Sequence, residues 1–595
     1  MPGGLLQLVA IGAQNELVNG SPSMTHFRAV YRRHTNFAME SIRMTFTSSN
    51  LSFDQTTTRT IPCRIDRYAQ MLHDTYLVIT LPDIWSPLYH LGTSLPPTGY
   101  DQRSNSMGYE FQWVDNIGYN LIDHVEITAN GQVLQRLTGE WLKLYSYLTH
   151  DPNKRKLVDQ MVGNVPEVTD PANAYDRVGQ YPHAVVPANM PDSIPMTKTP
   201  EPSIRSRQLV IPLHFWFCEN PGMALPLVSM QNSDVFINVT YRPLNQLYTV
   251  IDVNPMSATY GKRIRPNTAP TTPGTLVVDN TIGRFLSPPT LSGAISNTSL
   301  TTFYPDPYLE GNFIYLTEME MAQLASADQT FLVKTVTYTN NPGQYGGNSD
   351  ILIPFFNLVT RIVWTSQRSD KVLANDWDNY TNWDNPNRAP FTATADDLFS
   401  TTTNSRETQT FLYSSGQLQI SSVYPRDPIT NGQLLLDGKE RFSVKPASYF
   451  SLLQMYKHTT GDAPKIPGVY MYSFALNNDL YQPSGAINGS LFNKVILRLS
   501  LQQPLVTAAG VASQQTLYAI TSTVNTPTPV YITAAQCALR DPVTGLPLYP
   551  DVTPVVVNTN GENAIFAYTY NLGVYVESVN FLRIVSGLAN FVFAN

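Results

Sequence analysis

The amino-acid sequence predicts an all-β fold of two sandwiches in tandem, with long loop insertions and a few short helices. Three observations predict it. The chain has 595 residues, and at roughly 100–250 residues per all-β domain that length calls for two large domains or three ordinary ones. Its strand-like segments fall into two blocks, each interrupted by a long polar insertion, which is the pattern of a duplicated unit. Its 45 prolines, 33 tyrosines and 25 phenylalanines combine residues that favour strands with residues that punctuate loops. Charged residues make up only 14% of the chain, against about 25% in an average soluble protein, and Thr, Ser, Asn, Gln and Tyr fill the difference. Such a polar but weakly repulsive surface suits a chain that packs against copies of itself.

The first block opens with an arm. Residues 3–40 join the apolar segment Leu5–Ala13 to the polar-aromatic stretch Thr25–Phe37. Within it Phe27, Val30 and Tyr31 have the i, i+3, i+4 spacing of a short amphipathic helix feeding the first strand. Arg28, Arg32, Arg33 and His34 read as a solvated or carboxylate-paired face rather than a nucleic-acid patch. Strands are expected at Met44–Thr47, Thr75–Leu81 and Leu121–Ala129. The last meets Asn130-Gly131, whose positive-φ preference makes a two-residue hairpin. Trp141–His150 reads as a helix, and 151–207 as a proline-rich interfacial excursion. Strands return at Gln208–Phe217 and Val235–Tyr241. Phe215, Trp216 and Phe217 would make both faces of the former apolar, and Asn220-Pro221-Gly222 would turn tightly with Gly222 at positive φ.

Residues 244–309 are rich in Pro, Thr, Ser and Gly and read as a connecting segment or tower loop. The pattern then restarts with a strand at Asn312–Leu316 and a helix at Thr317–Leu324, where Thr317 and Glu320 have capping-box spacing. Further strands are expected at Phe331–Tyr338, Leu358–Thr365, Phe411–Ile420, Gly432–Leu436, Gly468–Leu476, Lys494–Leu501 and Ala564–Ile584, with a second excursion at 366–409. The division that follows is an arm at 1–23, a first sandwich at 24–243, a connection at 244–309 and a second sandwich at 310–595. The excursions, polar and rich in Pro, Tyr and Asn, are expected to clasp neighbouring subunits.

Little in the sequence points to catalysis. A net charge of −7 offers no global positive field for phosphates, so direct nucleic-acid binding is not expected. Cys63, Cys218 and Cys537 include no C-x-x-C pair and fit a reduced, cytosolic history without structural disulfides. The N-terminus lacks the basic region and apolar length of a signal peptide, and no 18 apolar residues run together. Nucleotide-binding, zinc-protease, serine-hydrolase and EF-hand motifs do not occur. The closest histidines in sequence, His26 and His34, flank Arg32 and Arg33, a poor place for a cation. Glu318 and Glu320 read as helix-terminal carboxylates. No catalytic residue, metal site or cofactor is expected. The N-x-[ST] sequons begin at Asn19, Asn50, Asn238, Asn297, Asn379 and Asn488. Asn297 and Asn379, in the long polar segments, are the candidate glycosylation sites.

Several segments, in order, resemble the double jelly-roll major capsid proteins of nucleocytoplasmic large DNA viruses, of the phycodnavirus and mimivirus kind. They are Gly3–Val9 with Tyr31–Ala38, then Tyr119–Trp141 with its Asn130-Gly131 hairpin and Gly139-Glu140-Trp141, and Ile211–Leu227. In the second block they are Asp437–Phe442, Tyr449-Phe450, Tyr472–Leu476, Gln482–Asn488 and Asn580–Leu588. Gln231–Val235 departs from the pattern, where relatives often carry an aromatic, a His and a Glu. The resemblance implies two tandem eight-stranded antiparallel jelly rolls in a structural, non-enzymatic subunit of an icosahedral virion. It implies a homotrimer forming a pseudo-hexagonal capsomer that contacts neighbouring capsomers and minor capsid and penton proteins, with glycans attached, assembled in the host cytoplasm. The competing readings are a carbohydrate-binding or glycan-processing jelly roll and a minor spike or penton protein. The former would need clustered His or paired carboxylates, which the sequence does not show.

Overall fold

The computed structural model describes residues 2–48, 50–86, 109–184, 201–251, 263–266, 280–288, 302–344, 347–382, 426–461, 466–502, 515–520, 530–532, 552–557 and 569–593. Strands dominate, and they assemble into two sandwiches. In the first, one sheet runs in the order Phe37–Thr45, Tyr308–Leu316, Met71–Leu81, Arg207–Leu213. The other runs Arg59–Arg64, Val235–Tyr241, Ile122–Ala129, Gln132–Thr138, and every pairing in both is antiparallel. Alternation explains the layering: Val235 and Ile237, like Leu209, Ile211 and Leu213, are buried while Phe236, Asn238, Val210 and Pro212 between and beside them are partly exposed, as period-2 side chains require.

The hairpin at Asn130-Gly131 forms as its chemistry demands, with φ of 51° and 79° and Ala129 paired to Gln132. Other local expectations need correction. The strand expected to open the second block, Asn312–Leu316, belongs to the first sandwich, where Tyr308–Leu316 lies between Phe37–Thr45 and Met71–Leu81. The strand expected to reach Phe217 ends at Leu213, and Trp216–Glu219 is a helical turn. Its aromatics are buried all the same, with Phe215 and Phe217 stacked at 5.5 Å. Pro221–Met223 is a 3-10 turn in which Gly222 donates its N–H to Asn220 Oδ1 at 2.8 Å, and Gly222 is not among the positive-φ residues. The side-chain cap replaces the left-handed glycine. Helices in the arm lie at Gly3–Val9 and Ala13–Asn19 rather than around Phe27–Tyr31, and residues 2–36 are exposed throughout.

The second sandwich pairs a sheet ordered Gln329–Gln344, Tyr570–Val585, Leu358–Arg368, Val469–Ser473 with one ordered Gly347–Ile353, Val495–Leu501, Ile429–Leu436. The helix before it, Glu318–Ser326, has Thr317 at its N-cap, but the Thr317 side chain makes no capping bond. Glu320 instead accepts a hydrogen bond from Thr35 Oγ1 at 3.1 Å. The expected strand Phe411–Ile420 lies outside the described residues. Two apolar clusters organise the interior. One, including Ile351, Trp364, Leu497 and Val574, is the second sandwich's own. The other fills the first sandwich and continues into Val333, Val363, Met471, Tyr575 and Leu582 of the second, so the two units share part of one core.

The excursions are more ordered than their composition suggests. In the first, Pro152–Met161 is a helix that buries Arg155 and Val158 against its own sandwich. In the segment read as a connection, Tyr248–Ile251 is a buried strand paired with Phe111–Trp113. In the second excursion, residues 375–382 dock on the first sandwich of the same chain, as detailed below. The described parts of the excursions therefore clasp their own chain. Polar side chains found backbone partners there, which composition cannot reveal.

Candidate functional site: the seam between the sandwiches

The seam is built around the helix Gly139–Thr149, which follows directly on the hairpin strand Gln132–Thr138. Thr138 caps it, Oγ1 accepting from the Trp141 N–H at 3.1 Å. Gly139 starts it because nothing larger fits: a Cβ there would stand 2.1 Å from the Ile122 carbonyl oxygen and 2.3 Å from that of Tyr119. The next two residues reach into the second sandwich. Glu140 accepts hydrogen bonds from Tyr575 OH at 2.7 Å, Tyr380 OH at 2.9 Å and Thr365 Oγ1 at 3.2 Å. Burial first, then the Glu140 charge, holds both phenols well above their ordinary pKa, so they remain donors. Trp141 packs its ring on Tyr575 with centroids 5.2 Å apart and lies under the Arg361 guanidinium.

Behind Trp141 sits a fully buried ion pair. Arg361 and Glu577 are directly opposite on adjacent antiparallel strands. Arg361 Nε and Nη2 donate to Glu577 Oε2 at 3.0 and 2.8 Å, and Nη1 lies 3.4 Å from Asp479 Oδ1. The two glutamate oxygens are divided, since Oε1 accepts from Thr360 Oγ1 at 3.2 Å. A buried charge pair of this kind fixes geometry more than it adds stability. Further along, Lys334 pairs with Glu219 at 3.5 Å, and Gln135 Nε2 donates to the Lys334 carbonyl at 2.9 Å.

A second set of contacts runs the other way, from the second sandwich onto the first. Asp378 accepts from Lys143 Nζ, Asn116 Nδ2 and Asn120 Nδ2. Trp377 Nε1 donates to the Gln246 carbonyl at 2.8 Å, and Asn375 Nδ2 to the carbonyls of Asn245 and Tyr248. At the far end two turns meet. Ser586-Gly587 is a second positive-φ hairpin, and its carbonyls accept from Asn232 Nδ2 at 3.1 Å and Ser233 Oγ at 2.8 Å. Asn130 of the first hairpin in turn donates to Ser233 Oγ. Gln231–Val235, the segment that departs from the family pattern, is thus part of the seam. The two sandwiches are joined along their length by hydrogen-bonded polar groups, several of them buried, and by shared core. This arrangement holds two similar sheets-on-sheets rigidly side by side; it offers rigidity, not chemistry. Among the described residues no group of three or more His, Cys, Asp or Glu is placed to hold a metal.

Comparison with known proteins decides what such a block is for. The family described as major capsid protein N-terminus matches residues 25–279, and that of the large eukaryotic DNA virus major capsid protein matches 320–534. The chain belongs to the major capsid proteins of large eukaryotic DNA viruses. The major capsid protein of Phaeocystis pouchetii virus is 27% identical over 87% of this chain and 96% of its own length. That of Paramecium bursaria Chlorella virus 1 is 24% identical over the whole of both. The crystal structure of PBCV-1 VP54 aligns with a TM-score of 0.56 at 20% identity, covering 96% of this chain and all of the other, and gives the fold as a double jelly roll. The capsid protein is a structural component of the virion and not an enzyme.

The residues singled out in the sequence now have places. Gly139-Glu140-Trp141 is the centre of the seam. Asn379 is fully buried: Nδ2 donates to Asp376 Oδ2 at 2.9 Å, while Oδ1 accepts from the Thr381 N–H and Oγ1. The candidate glycosylation site at Asn379 is therefore withdrawn, because a side chain enclosed by its own turn cannot carry a glycan. Asn297 lies outside the described residues. Cys63 and Cys218 are free thiols, and burial pushes both up to about 12; Cys537 lies outside the described residues. The arginines of the arm make no ion pair among the described residues, and Glu318 and Glu320 both fall in the first turn of the helix Glu318–Ser326. Tyr380, Asn375 and Trp377 were missed as seam residues. Their only signal was an unusual density of Asn, Asp and Trp at 375–386.

Proposed function

We propose that this capsid protein assembles as a homotrimer whose six jelly rolls give a pseudo-hexagonal capsomer, and that these capsomers tile the facets of an icosahedral shell. The observation that carries the reading is the seam: it makes each chain one rigid block of two like sandwiches, and three such blocks around an axis approximate a hexagon. A working division is an arm to residue 36, a first roll from 37 to 316 and a second from 329 to 593, with Glu318–Ser326 as the link. A group of exposed apolar side chains supports contact with a neighbour. Leu452, Leu453 and Tyr456 lie exposed on the helical segment Tyr449–His458, and Leu476, Leu480 and Tyr481 lie exposed beside it, joined through His458 Nδ1 and the Leu476 carbonyl at 2.9 Å. Exposed patches of this kind mark interaction surfaces. Neighbouring capsomers, minor capsid and penton proteins are the further partners, assembly takes place in the host cytoplasm, and Asn297 is the remaining glycan candidate. Electron microscopy of the purified oligomer tests the proposal: hexagonal outlines are expected, and elongated two-fold particles would refute it. A stable monomer with sugar affinity would favour the lectin reading instead.

A further inference from the structure

The strand Phe37–Thr45 is an open edge. It pairs with Tyr308–Leu316 on one side only, and among the described residues no other backbone hydrogen bond reaches Phe37–Met44. Its first five residues are exposed on both faces, with Phe37 at 51% and Met39 at 56% exposure. A nine-residue edge with unpaired N–H and C=O groups is a template for another strand, and proteins normally cover or charge such edges. Here one carboxylate, Glu40, lies on the strand together with the ion-paired Arg43, and two more, Glu318 and Glu320, open the helix that follows its partner strand. Glu40 and Glu318 are exposed and make no ion pair among the described residues, and Glu320 has one oxygen, Oε2, buried without a partner.

The arm has the complementary properties. Residues 2–36 carry Arg28, Arg32 and Arg33 against Glu16, a net +2 in a chain of net −7, and none of these arginines is ion-paired among the described residues. Residues 29–36 run without helix or strand, fully exposed, with Val30 and Tyr31 at 82% and 81%. In an extended chain Val30, Arg32 and His34 share one face and Tyr31, Arg33 and Thr35 the other. The chain cannot cover its own edge in this conformation. No two-residue hairpin forms at Thr35-Asn36, where neither residue has the positive φ such a turn requires. Thr35 is instead tied to Glu320. Beyond this stretch, Gly3–Val9 and Ala13–Asn19 are seven-residue helices with Leu5, Leu8, Leu17 and Val18 exposed. Helices so short are marginal in water unless packed against something.

We infer that the arm of a second copy of this chain adds as a strand to the open edge Phe37–Met44, with Val30 on the face of Phe37 and Met39, and Tyr31 and Arg33 on the face of Glu40. Main-chain pairing would give the affinity and the charges the register. The inference rests on the oligomer reading only in requiring a second copy. Two differently tagged chains, one carrying Val30→Cys and the other Met39→Cys, are co-expressed and mildly oxidised. A species carrying both tags, lost on reduction, is expected. A cross-link that forms only when both cysteines are in one chain, or none in an assembly that contains both tags, overturns the inference while leaving the trimer intact. Hydrogen exchange on the assembled full-length protein and on a form lacking residues 2–36 gives a second readout. Amides of 38–44 should exchange at least tenfold faster without the arm, with Val235–Tyr241 unchanged. Equal exchange in the two forms overturns the inference, as does arm-dependent binding to phosphatidylserine vesicles with the edge still protected.

Discussion

Replacing Glu140 tests the seam at its centre. The side chain receives three hydrogen bonds from the second roll, and two of the donors, Tyr380 and Tyr575, are each 1% exposed. Glu140→Ala leaves both phenols and Thr365 Oγ1 without their acceptor. An unpaired buried polar group costs about 1–3 kcal/mol, and bonds to a charged acceptor contribute about 1.5–3 kcal/mol each. Because the three act as one network and Glu140 itself is only half-buried, the losses do not add, and about 3–5 kcal/mol is expected in total. Glu140→Gln keeps a carbonyl acceptor and offers an NH2 to a phenol oxygen, so its cost should be about 1 kcal/mol. Urea unfolding of the isolated protein measures both. Calorimetry of the Ala variant should also show the two rolls separating into distinct transitions. If Glu140→Ala falls within about 1 kcal/mol of the parent and melts as one unit, the polar network is not what couples the rolls.

Other perturbations follow the same logic. Gly139→Ala puts a methyl into two carbonyl oxygens, and a loss of about 2–4 kcal/mol in urea unfolding is expected from forced backbone movement. Arg361→Met strands Glu577 in the seam and should cost about 3–5 kcal/mol, whereas Arg361→Met with Glu577→Leu should recover most of it; an unrecovered double variant would mean the pair is needed for more than charge balance. Acid should weaken the first roll through two histidines whose rings stand 5.3 Å apart. Burial, then Lys154 and Arg155, lowers His150 to about 4, and burial, then His150, Lys154 and Arg155, holds His214 well below the usual range. The unfolded chain takes up these protons first, so stability falls as pH drops from about 6.5 toward 4, by about 2 kcal/mol from His150 alone at pH 5. His150→Gln should flatten that slope in pH-dependent unfolding. Finally, Tyr456→Asp with Leu480→Asp should leave a folded chain by circular dichroism that sediments as a monomer.

How much was legible in the sequence depended on how local the determinant was. The Asn130-Gly131 hairpin, Val235–Tyr241 and the helix beginning near Trp141 were readable because turn chemistry and periodicity fix them within a few residues. Tyr308–Leu316 was misassigned because strand pattern carries no address: its partners, Phe37–Thr45 and Met71–Leu81, lie more than two hundred residues away. The excursions were read as intersubunit clasps because they are polar and long. Yet Arg155, Asn375 and Asp378 make hydrogen bonds within the chain, and polarity alone does not say whose backbone a side chain will meet. The seam was invisible for the same reason. Gly139-Glu140-Trp141 could be matched to a family, but the room that only glycine leaves, and the three hydroxyls that meet Glu140, exist only once both rolls are folded.

The central claim is that each chain is one rigid two-roll block and that three of them make the capsomer. Native mass spectrometry of the purified protein tests it most directly. The account predicts a dominant species of three times the 66.4 kDa chain mass, persisting at micromolar concentration. A dominant monomer or dimer under those conditions would contradict it.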